Sequence, residues 1–445
     1  MIDLYLILAI FAGIVVLLLL ILKVKLPAFI SLLISSIITG LLAGLDASQI
    51  IETIKEGMGS TLGFVATVIG LGAIFGGILE QSGGANAIAQ YLLEKIGLKK
   101  APQAVMFTGF LVAIPVFFDV AFIILIPVIY AIQRKTGKSL LLYAIPLLAG
   151  LAATHAFIPP TPGPVAVADL LNADMGWVIL TGFFAGIPAV LVSGLLFGKY
   201  IAKRIHITAP IETQQQYEIG LPDARLVVGI IGVPILLILL NTFTTTGLLP
   251  VTNSSIKNGI KLLGHPFTAL IIANIIAWYG LGILKGVESK QMLQIAQRSF
   301  APAGTIILLT GAGGVFKQVL INTGGGKMIA TALIEMGFPI LVFGFLTAAI
   351  IRVLQGSATV AMITSAGLVA PLLSEIQLTS GELACIVIAI ASGASIFSHV
   401  NDSGFWLVGQ YLQLTEKETL QSWSVMTTLL ALSGFIAALV LYFLV

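Results

Sequence analysis

Runs of about twenty consecutive apolar residues constrain this chain more than any other feature, because each can cross a hydrocarbon layer of roughly 30 Å as a helix. Residues 4–22, 63–79, 177–196 and 426–444 are runs of this kind. In lipid the backbone N–H and C=O groups must bond to one another, so such runs fold as helices. Of the 445 residues 58% are hydrophobic and only 9% charged, against roughly 25% charged in a soluble domain. A water-facing surface of this size needs more polar cover, which excludes a soluble globular fold. The first run lacks a basic n-region and a small-residue cleavage site, and a second span follows directly after Lys23 and Lys25. It therefore reads as a retained first helix rather than a signal peptide. Cys385 is the only cysteine, which leaves neither a disulfide framework nor a Cys-based metal site.

Hydropathy and helix breakers predict spans near 3–22, 27–45 and 61–80. The apolar stretch 102–132 follows, interrupted by Pro115 and Asp119; it is too long for one span and too short for two. A re-entrant hairpin with its tip at Pro115-Val116-Phe117-Phe118-Asp119 fits it. Residues 140–169 stay apolar as far as Thr154, and four prolines (Pro159, Pro160, Pro162, Pro164) then stop the helix. A span near 176–203 closes the first half. The segment 204–224, with Glu212, Gln214, Gln215, Gln216, Glu218 and Asp223, reads as a linker. The order then repeats: spans near 225–241, 265–284 and 301–320, a hairpin over 338–373 broken at 352–357, a span over 381–411 interrupted at 398–404, and a last span near 425–444.

The repetition extends to individual residues. At an offset of 241, Gly63, Gly70, Gly72, Phe75, Gly83 and Gly84 align with Gly304, Gly311, Gly313, Phe316, Gly324 and Gly325. Ile88, Ala89 and Glu94 continue the match to Ile329, Ala330 and Glu335, the mark of an internal duplication. Five crossings and one hairpin per half make the halves opposite in orientation. The predicted fold is an all-α polytopic membrane protein of about ten full transmembrane helices plus two re-entrant hairpins. Its two inverted-topology repeats are 1–203 and 225–445, joined by a cytoplasmic linker at 204–224. Lys and Arg placement gives an orientation. With Lys23 and Lys25 inside, the inner loops also carry Lys95, Lys99, Lys100, Arg134, Lys135, Lys138, Lys199, Lys203, Arg204, Arg225, Lys285, Lys290, Arg298 and Lys417. The outer side receives Lys55, Lys257, Lys261 and Lys327. Both termini are then outside, the first hairpin enters from the cytoplasm and the second from outside.

Charge inside hydrocarbon is expensive and needs a partner or a wet cavity. Asp119, His155, Arg352, His399 and Asp402 all fall at the four interruptions rather than along the smooth spans. A helix that ends inside the membrane leaves terminal N–H and C=O groups that a solute can satisfy, and its N-terminus suits an anion. Thr154, Thr161, Ser357, Thr359, Ser398, Asn401 and Ser403 add neutral donors and acceptors for a polyhydroxylated molecule. Arg352 is the candidate for a substrate carboxylate. Asp119, Asp402, His155 and His399 together are the candidates for carrying a coupled proton. Glu80 and Lys317 sit near span ends and can snorkel, and His206 and His265 lie at loop boundaries. Neither Gly83-Gly84 nor Gly324-Gly325-Gly326 precedes a Lys-Ser/Thr pair, which argues against a nucleotide-driven pump.

Four motifs carry a resemblance to a known family: Pro115-Val116-Phe117-Phe118-Asp119, His155-Ala156-Phe157-Ile158-Pro159-Pro160-Thr161-Pro162-Gly163-Pro164, Gln355-Gly356-Ser357-Ala358-Thr359, and Ser398-His399-Val400-Asn401-Asp402-Ser403-Gly404-Phe405-Trp406. In order and across essentially the whole chain, they resemble the gluconate permease (GntP) family of the ion transporter superfamily. The resemblance implies a proton symporter for gluconate or a related small hydroxy monocarboxylate in a bacterial inner membrane, with H+ as coupling ion and no cofactor or metal. It also implies a homodimer in lipid with no nucleic-acid partner. The residues that the motifs bring to a substrate site are Phe118, Thr154, Thr161, Gly163, Arg352, Gln355, Gly356, Ser357, Thr359, Ser398, Asn401 and Ser403. D-Serine and glycerate stay open as substrates, as does a sodium-coupled di- or tricarboxylate carrier, although one intramembrane Arg suits a single carboxylate better. An intramembrane enzyme would need a nucleophile motif or metal set that the sequence does not contain.

Overall fold

A computed structural model describes residues 4–210, 220–245, 249–325, 328, 335–399 and 402–445. Of the residues singled out above, Glu212, Gln214, Gln215, Gln216, Glu218, Gly326, Lys327, Ile329, Ala330, Val400 and Asn401 lie outside the described ones. Every described element is helical. Seven helical stretches among the described residues are long and apolar enough to cross a membrane, and shorter apolar helices accompany them.

Helices α1 (Leu4–Leu22) and α2 (Ala28–Leu42) form an opening pair. Helix α3 (Ala47–Gln81) then runs for 35 residues, starting well ahead of the span expected at 61–80. The cause is local. Asp46 accepts from the Gln49 N–H while the Gln49 side chain accepts from the Asp46 N–H, a capping box that nucleates the helix. Helix α4 (Gly84–Ile96) follows after Gly83, whose φ of 72° turns the chain. Helix α14 (Ser289–Asn322), which spans the segment aligned with α3 in the sequence, likewise begins ahead of its expected start, running for 34 residues.

Helices α3 and α14 pack along their length. Gly57 meets Val315, Leu62 meets Gly311, Gly70 meets Phe300 and Gly77 meets Ser299. Early residues of one helix meet late residues of the other, so the two lie antiparallel. A Cβ on Gly57 would sit 2.6 Å from the Val315 Cα, which shows how close the backbones come. Small residues permit this approach, and dispersion holds it where lipid supplies no hydrophobic drive.

Where the sequence predicts two hairpins and two broken spans, the structure has four pairs of shorter helices, named below after those expectations. Helices α5 (Ala101–Val112) and α6 (Phe118–Thr136) form the first hairpin, and α7 (Leu141–Phe157) and α8 (Pro162–Leu170) the first broken span. Helix α9 (Met175–Val190) continues through a π-helical turn at 191–196 into α10 (Phe197–Ile201). In the second half come α11 (Ala224–Thr245), α12 (Ser254–Leu263) and α13 (Pro266–Ala277). The second hairpin is α15 (Ile340–Gln355) with α16 (Ala358–Val369), and the second broken span is α17 (Ser380–Ser395) with α18 (Ser403–Leu412). Helix α19 (Glu416–Thr419), a π-helical turn at 420–424 and α20 (Val425–Tyr442) close the chain.

Three further features differ from the sequence expectation. Arg352 lies in the last turn of α15 rather than in the break. Gly356, at φ 92°, closes that helix by donating its N–H to the Arg352 carbonyl. Helix α12, capped by Asn253, was not expected; it has one apolar face and no buried residue. The last span starts at Glu416 rather than 425, because Thr415 and Glu418 form a capping box there.

Helices α5 and α7 cross at Gly109 and Gly150: a Cβ on Gly150 would meet the Met106 carbonyl and the Phe110 nitrogen. Helices α15 and α17 cross in the same manner at Gly344 and Gly393, the latter against the Phe345 carbonyl. Each hairpin is thereby anchored to the broken span of its own half. Helix α8 of the first half packs on α16 of the second, so the interruptions of both halves are drawn to one place.

Candidate functional site

A cavity of about 670 Å³ lies where the four interruptions meet. The first hairpin contributes Phe117, Phe118, Asp119 and Val120, and the first broken span Ala152, His155, Ala156 and Gly163. The second hairpin contributes Arg352, Gln355, Gly356, Ser357, Ala358, Thr359 and Met362. Ser395, Asp402, Ser403 and Gly404 come from the second broken span. Smooth helices complete the wall with Thr305 and Ile306 of α14, Trp423 of the π-helical turn, and Thr427 and Leu430 of α20.

Backbone geometry makes this wall electropositive. Helices α6, α16 and α18 begin at Phe118, Ala358 and Ser403, and α8 begins at Pro162 beside Gly163. Four N-termini therefore come to one cavity, each with unpaired N–H groups and partial positive charge. Ser357 caps α16 by accepting from the Val360 N–H at 3.3 Å, and the Gln355 side chain accepts from the Ser357 N–H at 2.8 Å. Gly163 lets α8 approach α16: a Cβ there would be 2.7 Å from the Met362 sulfur.

The charged groups are arranged unequally. Arg352 Nη2 pairs with Asp402 Oδ2 at 2.5 Å, with the side chains 4% and 13% exposed. The sequence presented Arg352 as a cation for substrate alone; part of its fork is committed to Asp402. Its Nε and Nη1 are buried and have no partner among the described residues. Asp402 also accepts from the Ser398 hydroxyl on Oδ2 and from the Gly404 N–H on Oδ1 at 3.2 Å. Trp423 Nε1 donates to Ser398 Oγ at 2.6 Å. An indole can only donate, so the serine hydrogen is directed to Asp402. Asp119, in the first turn of α6, is exposed and has no hydrogen-bond or ion-pair partner among the described residues, while lying within electrostatic reach of Asp402. His155 also faces this space, and its buried Nδ1 has no partner among the described residues.

Of the sequence candidates, Phe118, Gly163, Arg352, Gln355, Gly356, Ser357, Thr359, Ser403, Asp119, His155 and Asp402 line the cavity. Four others are placed behind it. Thr154 donates to the Phe110 carbonyl at 2.9 Å, tying α7 to α5. Thr161 donates to the Ile158 carbonyl at 2.5 Å across the first break. Ser398 is buried and bonded to Asp402, Trp423, Thr427 and Ser424. His399 Nε2 is 2.9 Å from the Val353 carbonyl. Asn401 lies outside the described residues. Of the residues missed by sequence reasoning, Thr305, Trp423 and Thr427 sit on stretches that carry no predicted break, and Met362 lies in the second hairpin beyond its break. For Trp423 a signal existed in the polar run Gln421-Ser422-Trp423-Ser424 at the head of an apolar span.

Lys317, expected to snorkel, instead donates to the Leu170 carbonyl at 2.8 Å, at the C-terminus of α8. A cation there complements the helix dipole whose other end faces the cavity. Among the described residues no group of three His, Cys, Asp or Glu could hold a metal ion.

Comparison with known proteins gives a consistent picture. The family model described as GntP family permease matches residues 5–445. The chain is 38% identical to the low-affinity gluconate transporter of Escherichia coli K12 over 99% of both chains. It is 36% identical to the gluconate permease of Pseudomonas aeruginosa, over 99% of this chain and 98% of that one. Identity to the gluconate permease of Bacillus subtilis is 36%, over 95% and 96%. Among solved structures, the YdaH transporter of Alcanivorax borkumensis matches with a TM-score of 0.66 at 14% identity, over 93% of this chain and 97% of the other. MtrF of Neisseria gonorrhoeae matches with a TM-score of 0.65 at 14% identity, over 92% and 93%. At that identity the structural matches speak for the fold alone.

Proposed function

The chain belongs to the GntP family of permeases, and from that premise we propose that it is a proton-coupled symporter importing gluconate or a related small hydroxy monocarboxylate. Membership makes it a multi-pass membrane transporter and not an enzyme; the substrate and the coupling ion are the further step. The relatives named as gluconate transporters and permeases support the substrate class.

The observation that carries the coupling is the charge balance of the cavity. Arg352 and Asp402 neutralise each other, which leaves Asp119 as an acid with no partner among the described residues. A substrate carboxylate bonding to the free Nε and Nη1 of Arg352 would bring a second net negative charge into a space of low dielectric. A proton on Asp119 removes that repulsion, so anion and proton bind together. Hydroxyl groups of the substrate meet Ser357, Thr359 and Ser403, and the helix N-termini add to the attraction. His155 is a second group able to take part in the proton's path.

In the same reading 1–203 and 225–445 are inverted repeats, with the termini outside a bacterial inner membrane and two copies forming a dimer. The antiparallel packing of α3 on α14 and the matching order of hairpin and broken span in each half support the inversion.

The test is uptake of radiolabelled gluconate by the purified protein in proteoliposomes, at imposed pH gradients, with and without sodium. D-Serine, glycerate and citrate serve as competitors. Gluconate is expected to accumulate with the proton gradient and without sodium, and citrate to compete poorly. A sodium requirement, or no accumulation of any hydroxy acid, would overturn the proposal. Asp119→Asn is expected to exchange gluconate across the membrane yet fail to concentrate it.

A further inference from the structure

Phe117 and Val120 form part of the wall of two cavities, the central one and a second of about 320 Å³. The second is completed by Glu80 and Gln81 at the end of α3, and by Arg298 and Ser299 in the N-terminal third of α14. The hairpin tip is seated directly on α3: a Cβ on Gly76 would run into the Pro115 carbonyl. Glu80, Gln81 and Arg298 are exposed, so this cavity opens out of the protein. Neither Arg298 nor Glu80 has an ion pair or side-chain hydrogen bond among the described residues.

We propose that this space is a second, weaker anion-binding chamber for the transported hydroxy acid, in series with the central cavity and partitioned from it by Phe117. The inference rests on reading the protein as a hydroxy-acid carrier. Arg298 supplies a guanidinium for the carboxylate, and Gln81 and Ser299 supply polar groups for hydroxyls. Glu80, which lines the same space, adds a negative charge that opposes an anion there, so the chamber holds its guest less tightly than Arg352 and the converging helix N-termini do. Weak holding suits a place of release, since conduction needs sites that bind and also let go. Phe117, half-buried at the N-cap of α6, presents an apolar face that a hydrated anion cannot cross while the ring is in place.

Cys385 is buried and is the only cysteine, so Gln81→Cys introduces a single accessible thiol in the chamber of the full-length protein. Gluconate is expected to slow modification of that thiol by a membrane-impermeant maleimide. Adding Arg298→Gln should raise the gluconate concentration needed for protection about tenfold, the loss of one charge-assisted hydrogen bond. Adding Arg352→Gln, which disables the central site, should leave the protection in place. No protection, protection unchanged by Arg298→Gln, or protection lost with Arg352→Gln each overturns the chamber. Wild-type uptake is read in parallel, so failure of the carrier reading shows as absent uptake and failure of the chamber as uptake without protection. Phe117→Ala joins the two spaces and is expected to keep gluconate counterflow while losing accumulation; accumulation at the wild-type level overturns the partition.

Discussion

Arg352 and Asp402 are a buried pair whose removal should be asymmetric. Taking away Asp402 alone leaves a guanidinium that is 4% exposed without its counter-charge, and breaking a buried pair in this way costs about 3–5 kcal/mol. Asp402→Ala is therefore expected to lower the melting temperature in detergent and the yield of folded protein. The double variant Arg352→Met/Asp402→Ala removes the stranded charge and should recover much of that stability while remaining unable to bind gluconate. Equal melting of the single and double variants would show that the pair is not coupled. Residues at this scale were half legible. The sequence placed charge at the breaks because hydrocarbon tolerates it nowhere else, and Asp119, Arg352 and Asp402 do line the cavity. It also read Thr154, Thr161 and Ser398 as ligands, being polar groups in broken segments. In the fold they hold the breaks together instead, bonding the Phe110 carbonyl, the Ile158 carbonyl and the Asp402 carboxylate. Composition cannot distinguish a strut from a ligand, because both satisfy the same stranded polar groups.

Helices show a sharper contrast between what pattern reveals and what packing decides. The hairpins and broken spans were legible because Pro159, Pro160, Pro162 and Gly356 terminate helices by backbone chemistry that needs no partner. The full lengths of α3 and α14 were not read, since their early turns are polar and look like loop; for α3 the Asp46–Gln49 capping box was the signal available in the sequence. Gly57 and Gly59 separate these cases. Gly57 lies against the Val315 backbone, whereas a Cβ on Gly59 would meet nothing within 4 Å. Gly57→Ala is expected to force α3 from α14 and cost about 1–3 kcal/mol; Gly59→Ala should be neutral or slightly stabilising, since Ala favours helix by up to about 1 kcal/mol. Thermal unfolding of the two variants checks this, and equal melting temperatures would remove the close crossing as a determinant. Gly163 offers a test nearer the site. Its Cβ would press on the Met362 sulfur at 2.7 Å, the movable end of a flexible side chain. Gly163→Ala should weaken gluconate uptake, and Met362→Ala in the same protein should restore part of it. No rescue would mean that the alanine acts through the helix and not through the contact.

Across the whole molecule, the two halves place their unlike contributions around one cavity: from the first hairpin an acid with no partner among the described residues, and from the second hairpin and second broken span a neutralised pair. That division has a consequence for energetics. If one proton on Asp119 accompanies one monocarboxylate, no net charge crosses the membrane, and the transmembrane potential does no work on the cycle. Each uncompensated charge would otherwise add about 2.3 kcal/mol per 100 mV. Gluconate accumulation in proteoliposomes is therefore expected to follow an imposed pH gradient and to ignore a potassium diffusion potential set up with valinomycin at constant pH. Accumulation that grows with the potential, inside negative, would require a second cation per anion and would make His155, which also lines the cavity, the next group to examine. In Asp119→Asn the carrier would move the anion without its proton. Net gluconate flux through that variant, unlike one-for-one exchange, should then become sensitive to the potential as the wild type's is not, because no proton crosses with the anion's charge.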